Sequence, residues 1–203
     1  MSEKNNNILY TVGHSNHTIE VFIELLQRHK IGMVLDVRSA PYSRYCAQFD
    51  KGVLAAALAA VKIQYEYLGK ELGARPDDPG CYEGGCVSFE KAARREEFKE
   101  GVERVRSNMG RYSSALMCSE KEPLDCHRTI LVCRNLKGYK LEIKHILEDG
   151  ALEDHLEAER RLVKLRKIER TLFEPDLTEA DLIEQAYDKQ GRKISYKAEE
   201  AGT

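Results

Sequence analysis

Short apolar runs recur along this chain, each closed by a polar or glycine break and each separated from the next by a stretch of helical periodicity. Residues 8–12, 33–37, 63–68, 113–118 and 140–146 are the runs. Between them, Thr18 can cap a helix with Ile19, Phe22, Ile23 and Leu26 on one face, and Leu54, Leu58 and Val61 mark a second. Phe98, Val102, Val105 and Met109 mark a third, and residues 124–136 a fourth. Most of the runs are unbroken rather than alternating, the pattern of strands covered on both faces. The spacing therefore predicts an α/β domain over 8–150, Rossmann-like, with a mostly parallel five-stranded sheet flanked by helices. Residues 151–196 read as a helical extension packed on the same domain, with a short capped helix over 178–186, and 1–7 and 197–203 read as disordered tails.

Composition removes several classes of function. A net charge of −2 gives no global field to gather nucleic acid or an anionic membrane. No apolar run approaches the roughly 20 residues of a membrane span, and the polar start from Ser2 to Asn7 does not read as a signal peptide. The six cysteines are dispersed in a chain of 203 residues, large enough to hold a core without staples, which points to a reducing, cytoplasmic setting. The sequence assigns neither a cofactor nor an oligomeric state.

Right-handed crossovers bring every strand-to-helix loop to one edge of such a sheet, where ligands bind in open α/β folds. Four segments should meet there: Gly13-His14-Ser15, Asp36-Val37-Arg38-Ser39, the residues after Tyr67, and 118–128. The last holds Cys118, Glu120, Cys126, His127 and Arg128. Placed in the first turn of a helix beside Arg128, Cys126 would be a thiolate, since backbone N–H groups and positive charge both lower a thiol pKa. Equally, Cys126, Ile130 and Cys133 could form a buried stripe. Adjacent helical residues point roughly 100° apart, which makes His127 a poor partner for Cys126 unless the helix begins later. Arg128 reads as an anion clamp at a helix start, or as half of an ion pair with Glu120 or Asp36.

Asp36 and Arg38 leave the same face of a strand end, as an ion pair that shapes the turn or as a general base beside an anion-binding arginine, with Glu120 as the other proton-transfer candidate. Gly13, His14 and Ser15 could contact a ligand, Ser43 follows Pro41 in a stiffened loop, and Tyr67, with Tyr42, Tyr45 and Tyr65, could stack on a base or sugar. Cys118 and Cys126 could close a redox bridge, although they lack Cys-x-x-Cys spacing. No metal site is expected, because Cys81-x4-Cys86 has no second short-spaced pair. A basic stretch from Arg160 to Arg170 is the one segment suited to nucleic acid.

Several of these segments match a known pattern. Thr11-Val12-Gly13-His14-Ser15, Asp36-Val37-Arg38-Ser39-Ala40-Pro41-Tyr42-Ser43, Leu68-Gly69-Lys70-Glu71-Leu72-Gly73, Leu116-Met117-Cys118-Ser119-Glu120 and Cys126-His127-Arg128 resemble the DUF488 family, as do His145-Ile146 and Ala186-Tyr187-Asp188-Lys189-Gln190-Gly191. The likeness spans nearly the whole chain, from about Ile8 to Tyr196, with one departure at Ala74, where a second glycine is expected before Arg75. It implies an α/β cytoplasmic protein with its motifs at strand ends, and carries no reaction. The residues themselves point to an enzyme or ligand-binding domain for an anionic, phosphate- or nucleotide-like small molecule. A nucleic-acid accessory protein and a thiol redox sensor are the alternatives.

Overall fold

Residues 7–169 and 177–198 are described by the structure, a computed structural model. Thr18 caps the first helix as its position predicts, its side chain accepting from the Val21 N–H. In chain order the elements are β1 (Ile8–Gly13), α1 (Ile19–Arg28), β2 (Met33–Asp36), α2 (Lys51–Ala60), β3 (Gln64–Tyr67) and α3 (Gly69–Leu72). A two-residue hairpin, β4 (Tyr82–Glu83) and β5 (Cys86–Val87), precedes α4 (Phe89–Arg94), α5 (Glu96–Met109) and β6 (Ser114–Cys118). A π-helix, Arg128–Cys133, then runs into α6 (Arg134–Leu136), followed by β7 (Glu142–Ile146), β8 (Leu152–Asp154), α7 (His155–Arg166) and α8 (Glu179–Ile194).

The sheet has six strands in the order β3-β2-β6-β1-β7-β8, one more than the apolar runs predict. Five are parallel and β8 pairs antiparallel with β7 at the edge. Successive residues of a strand face opposite layers, so Ala115 and Met117 join Phe22, Leu26, Leu54 and Leu58 of α1 and α2 on one side. Leu116 and Cys118 join Phe98, Val102 and Val105 of α5, Ile130 and Val132 of the π-helix, and Ile183 and Tyr187 of α8 on the other. The last helix thus belongs to the same core. Its N-terminus is a full capping box between Thr178 and Asp181, and it continues to Ile194, beyond the short helix expected over 178–186.

The connection leaving β2 runs outward to β3, while that leaving β6 runs the other way, across β1 to β7. Divergent connections from neighbouring strands open a crevice at their carboxyl ends. That geometry sets the position of the site. Residues 1–6 and 199–203 of the expected tails lie outside the described residues, as does Arg170. Lys197 and Ala198, read from the sequence as tail, bond to the β4–β5 hairpin through a bridge to Cys86 and through Ala198 N to Gly85 O at 2.8 Å. Among the described residues no helix is long and apolar enough to cross a membrane.

Candidate functional site

A cleft of about 380 Å³ opens at the β2/β6 crevice. Arg38, Ser39 and Ala40 line it from the loop after β2, Cys118, Ser119 and Glu120 from the end of β6, and His127 from its floor. Ile194, Ser195, Tyr196 and Lys197 close its far wall.

Local backbone chemistry sets the floor. Pro123 opens a one-turn 3-10 helix, Pro123–Asp125, whose cap Glu122 accepts from Leu124 N at 3.0 Å. The chain then straightens at Cys126, with φ −129° and ψ 139°. The helix expected from residue 124 therefore starts later, and Cys126 is its cap rather than part of its first turn. The Cys126 carbonyl accepts from Thr129 N and Ile130 N, both at 3.1 Å, and its sulfur accepts from Arg128 N at 3.4 Å. This later start corrects the expected divergence of Cys126 and His127. Nδ1 of His127 lies 4.0 Å from the Cys126 sulfur and 3.6 Å from the Cys118 sulfur. On the other side, Cys126 Sγ is 3.0 Å from Glu120 Oε2. One donor atom from each of Cys118, Glu120, Cys126 and His127 lies within 4.8 Å of every other.

Arg128 is completely buried, and it is not free to clamp a ligand. Its Nη1 donates to the Glu120 carbonyl and its Nη2 to the Lys121 carbonyl at 3.1 Å, so both expectations, clamp and carboxylate ion pair, give way to a backbone fork. Burial pushes the Cys126 thiol up, but a hydrogen bond from Cys118 and the charges of Arg128 and His127 outweigh it and hold the thiol well below its ordinary value. Cys118 moves the opposite way, raised by burial and by its neighbour. The Glu120 carboxyl is raised by burial and by the Cys126 charge. The two thiols are thus pushed in opposite directions.

Asp36 is sealed and fully engaged. Its oxygens accept from Arg38 N at 3.1 Å, Arg38 Nε at 2.9 Å, Arg38 Nη2 at 2.7 Å and Tyr65 Oη at 2.7 Å. It holds Arg38 in the cleft wall and has no room to act on a ligand, which leaves Glu120 as the one of the two proton-transfer candidates that lines the cleft. Behind Arg38 stands His14, whose Nδ1–H donates to Ser15 O at 2.8 Å while its Nε2 accepts from Arg38 Nη1 at 3.2 Å. Gly13 packs where a Cβ would meet the Glu120 carbonyl carbon at 2.8 Å, so only glycine lets β1 approach that loop. Ser15 N continues the ladder to Ser119 O at 2.9 Å. Ser43 accepts from Tyr45 N and Cys46 N, shaping its own turn, and the Tyr67 hydroxyl donates to Ser39 O at 3.1 Å, buttressing the wall.

Burial and the Arg38 charge push His14 down to about 4 from 6.5. Between these values the unfolded chain binds a proton that the folded chain refuses, so folding stability falls as pH drops through this window. The expected loss from this group is roughly 2–3 kcal/mol on going from about pH 7 to about pH 4.5. Urea titrations at the two pH values check it: His14→Gln should show a drop smaller by that amount, and an equal drop refutes the assignment.

The rim cations Arg75 and Lys197 escaped the sequence, while Ser39 and Asp125 lie in segments expected to converge there but were given no role of their own. Arg75 lies over the Tyr196 ring at 4.3 Å, joining the β3–α3 side to the chain end. Ala74, where a glycine was expected, does not take a positive φ, so the substitution is free of backbone strain. In the basic helix α7, Arg160 pairs with Glu179, and Arg161 with Glu122 and Glu153.

A family model described as Domain of unknown function DUF488 matches residues 18–134, more than half of the chain. The chain belongs to the DUF488 family. The DUF488 match takes in Asp36, Arg38, Cys118, Glu120, Cys126, His127 and Arg128, and excludes His14 and the Ile194–Lys197 wall. No curated protein and no solved structure matches the chain.

Proposed function

We propose that this DUF488 protein is an enzyme, or an enzyme-like ligand-binding domain, that takes an anionic, phosphate- or nucleotide-like small molecule in the β2/β6 cleft. The observation that carries the reading is the meeting of a Cys118–Glu120–Cys126–His127 floor with Arg38, Arg75 and Lys197 in one cleft. Its size suits a small ligand. Arg75 and Lys197 attract the anion, Arg38 and His14 stiffen the wall, and the reacting end of the ligand rests on Cys118 and His127 with the Cys126 thiolate beneath. Glu120 is the proton-transfer group in this reading, because it alone among the acidic candidates reaches both the thiolate and the cleft.

Thermal shift tests it. Nucleoside monophosphates, nucleoside diphosphates and sugar phosphates are screened against the wild type and an Arg75→Ala/Lys197→Ala variant. A ligand at about a hundredfold its Kd stabilises the native state by about 2.7 kcal/mol, which for a chain of this size raises Tm by about 5–10 °C. The rim variant should lose that shift. A flat response across the panel, or a shift that survives in the rim variant, overturns the reading.

A further inference from the structure

We propose that Cys118, Cys126 and His127 bind a zinc(II) ion, with the Glu120 carboxylate as a fourth, exchangeable ligand on the cleft side. The inference goes beyond the anion-binding reading and stands on the side-chain cluster alone.

Geometry comes first. Tetrahedral zinc with sulfur at about 2.3 Å and nitrogen or oxygen at about 2.0 Å needs donor–donor edges of about 3.3–3.8 Å, and about 3.5 Å where one donor is sulfur and the other nitrogen or oxygen. The two sulfur-to-Nδ1 separations, 3.6 and 4.0 Å, are close to such edges. The Cys126-to-Glu120 separation of 3.0 Å is shorter, a hydrogen-bond distance, so the carboxylate must swing out by about half an ångström to become a ligand. Glu120 is the member of the four that is exposed, and can move.

The histidine is already set for coordination. His127 Nε2 lies 2.9 Å from the Val37 carbonyl oxygen, which can only accept, so Nε2 carries the hydrogen. In its neutral form, the one a metal takes, the ring then points the Nδ1 lone pair at the two sulfurs. A backbone carbonyl that fixes the tautomer in this way is the usual support of a metal-ligating histidine.

Charge agrees. Arg128 is completely buried, and among the described residues it forms no ion pair with a carboxylate. A zinc ion with two thiolates is neutral, and adding the Glu120 carboxylate makes the centre −1, which the Arg128 charge balances. Binding releases to solvent whichever protons the two thiols still carry. Two thiolates, one imidazole and one carboxylate form a donor set of zinc type. Three buried protein ligands and one at the cleft give the arrangement of a reactive zinc centre, in which a ligand oxygen or water takes the fourth position once Glu120 swings away.

Cobalt(II) chloride is the probe, titrated into the full chain after reduction and chelator treatment. One equivalent should produce a thiolate-to-cobalt charge-transfer band and tetrahedral ligand-field bands, and one equivalent of zinc chloride should erase both. Glu120→Gln should keep the charge-transfer band, shift the ligand-field bands and bind zinc at least about tenfold more weakly. Cys126→Ser should lose the stoichiometric charge-transfer band, while Cys86→Ser, at a half-buried thiol outside the cluster, keeps it. Circular dichroism confirms that each variant is folded, and Glu120→Gln carries the test if Cys126→Ser is not. The rim variant Arg75→Ala/Lys197→Ala should bind cobalt normally, so failure of the anion reading leaves this result standing. Absence of the band in folded, reduced protein overturns the proposal, as does its survival in folded Cys126→Ser. A reduced protein that ignores cobalt, yet joins Cys118 to Cys126 under a mild oxidant, refutes it in favour of a redox pair.

Discussion

Arg128→Met is expected to destabilise the metal-free, reduced protein by about 3–5 kcal/mol, the usual result of removing one member of a buried, hydrogen-bonded charge system. The guanidinium is fully buried and donates to the carbonyls of Glu120 and Lys121, which no other side chain serves in the described contacts. Methionine fills much of the volume but leaves both carbonyls unpaired and removes the largest positive charge acting on the Cys126 thiol. Arg128→Lys restores the charge without the planar fork, so it should recover only part of the loss. Urea unfolding of the three proteins at one pH reads the ranking directly. A change below about 1 kcal/mol for Arg128→Met, or full recovery in Arg128→Lys, would show that the fork does not hold the Glu120–Cys126 loop.

The role of Arg128 illustrates which parts of the site the sequence exposes. Strand ends are legible because apolar runs stop abruptly: Val12 before Gly13, Val37 before Arg38, Cys118 before Ser119. Once parallel pairing is inferred, their convergence follows from connection handedness alone. Side-chain direction does not. Periodicity predicts that Cys126 and His127 diverge, yet Pro123 starts a separate 3-10 turn and the chain straightens before the π-helix, bringing Nδ1 to within 4.0 Å of the sulfur. The sixth strand is hidden for another reason. Leu152–Asp154 is three residues long, two of them acidic, and is paired through its backbone with β7. Its signal sits in the partner strand rather than in its own sequence.

Long-range pairing accounts for the other omissions. Lys197 and Tyr196 reach the cleft because α8 runs on to Ile194, about two turns past the point where its apolar pattern fades. The metal-compatible donors were missed because Cys118 and Cys126 are separated by seven residues, outside the short spacings by which structural zinc sites are recognised. A buried line from Thr11 through His145 and His155 to Tyr187 was equally invisible: its links of 2.8, 3.0 and 3.2 Å join β1, β7, α7 and α8. Each link is a contact across the fold, and pattern within one segment says nothing of it.

Asp36→Asn carries the second large effect, an expected loss of about 3–5 kcal/mol. The substitution leaves Arg38 buried without its counter-charge, and the amide nitrogen faces donors at both Arg38 and Tyr65. Arg38→Met strands the carboxylate instead and should cost a similar amount. If the two residues act as one unit, the double variant Asp36→Asn/Arg38→Met loses clearly less than the sum of the singles, with a coupling energy of about 1–3 kcal/mol in a double-mutant cycle. Additivity within about 0.5 kcal/mol would mean that the pair is not the unit that sets this wall. The cycle also separates architecture from chemistry. Arg38 Nη2 donates to Phe49 O at 2.8 Å and Nη1 to His14, so losing the pair loosens β1, β2 and the α2 entry together and opens the cleft wall. Phosphate-dependent thermal shift should therefore fall in both single variants, whereas one-to-one cobalt uptake by the folded protein should persist, because Val37 O still orients His127 when Arg38 is gone.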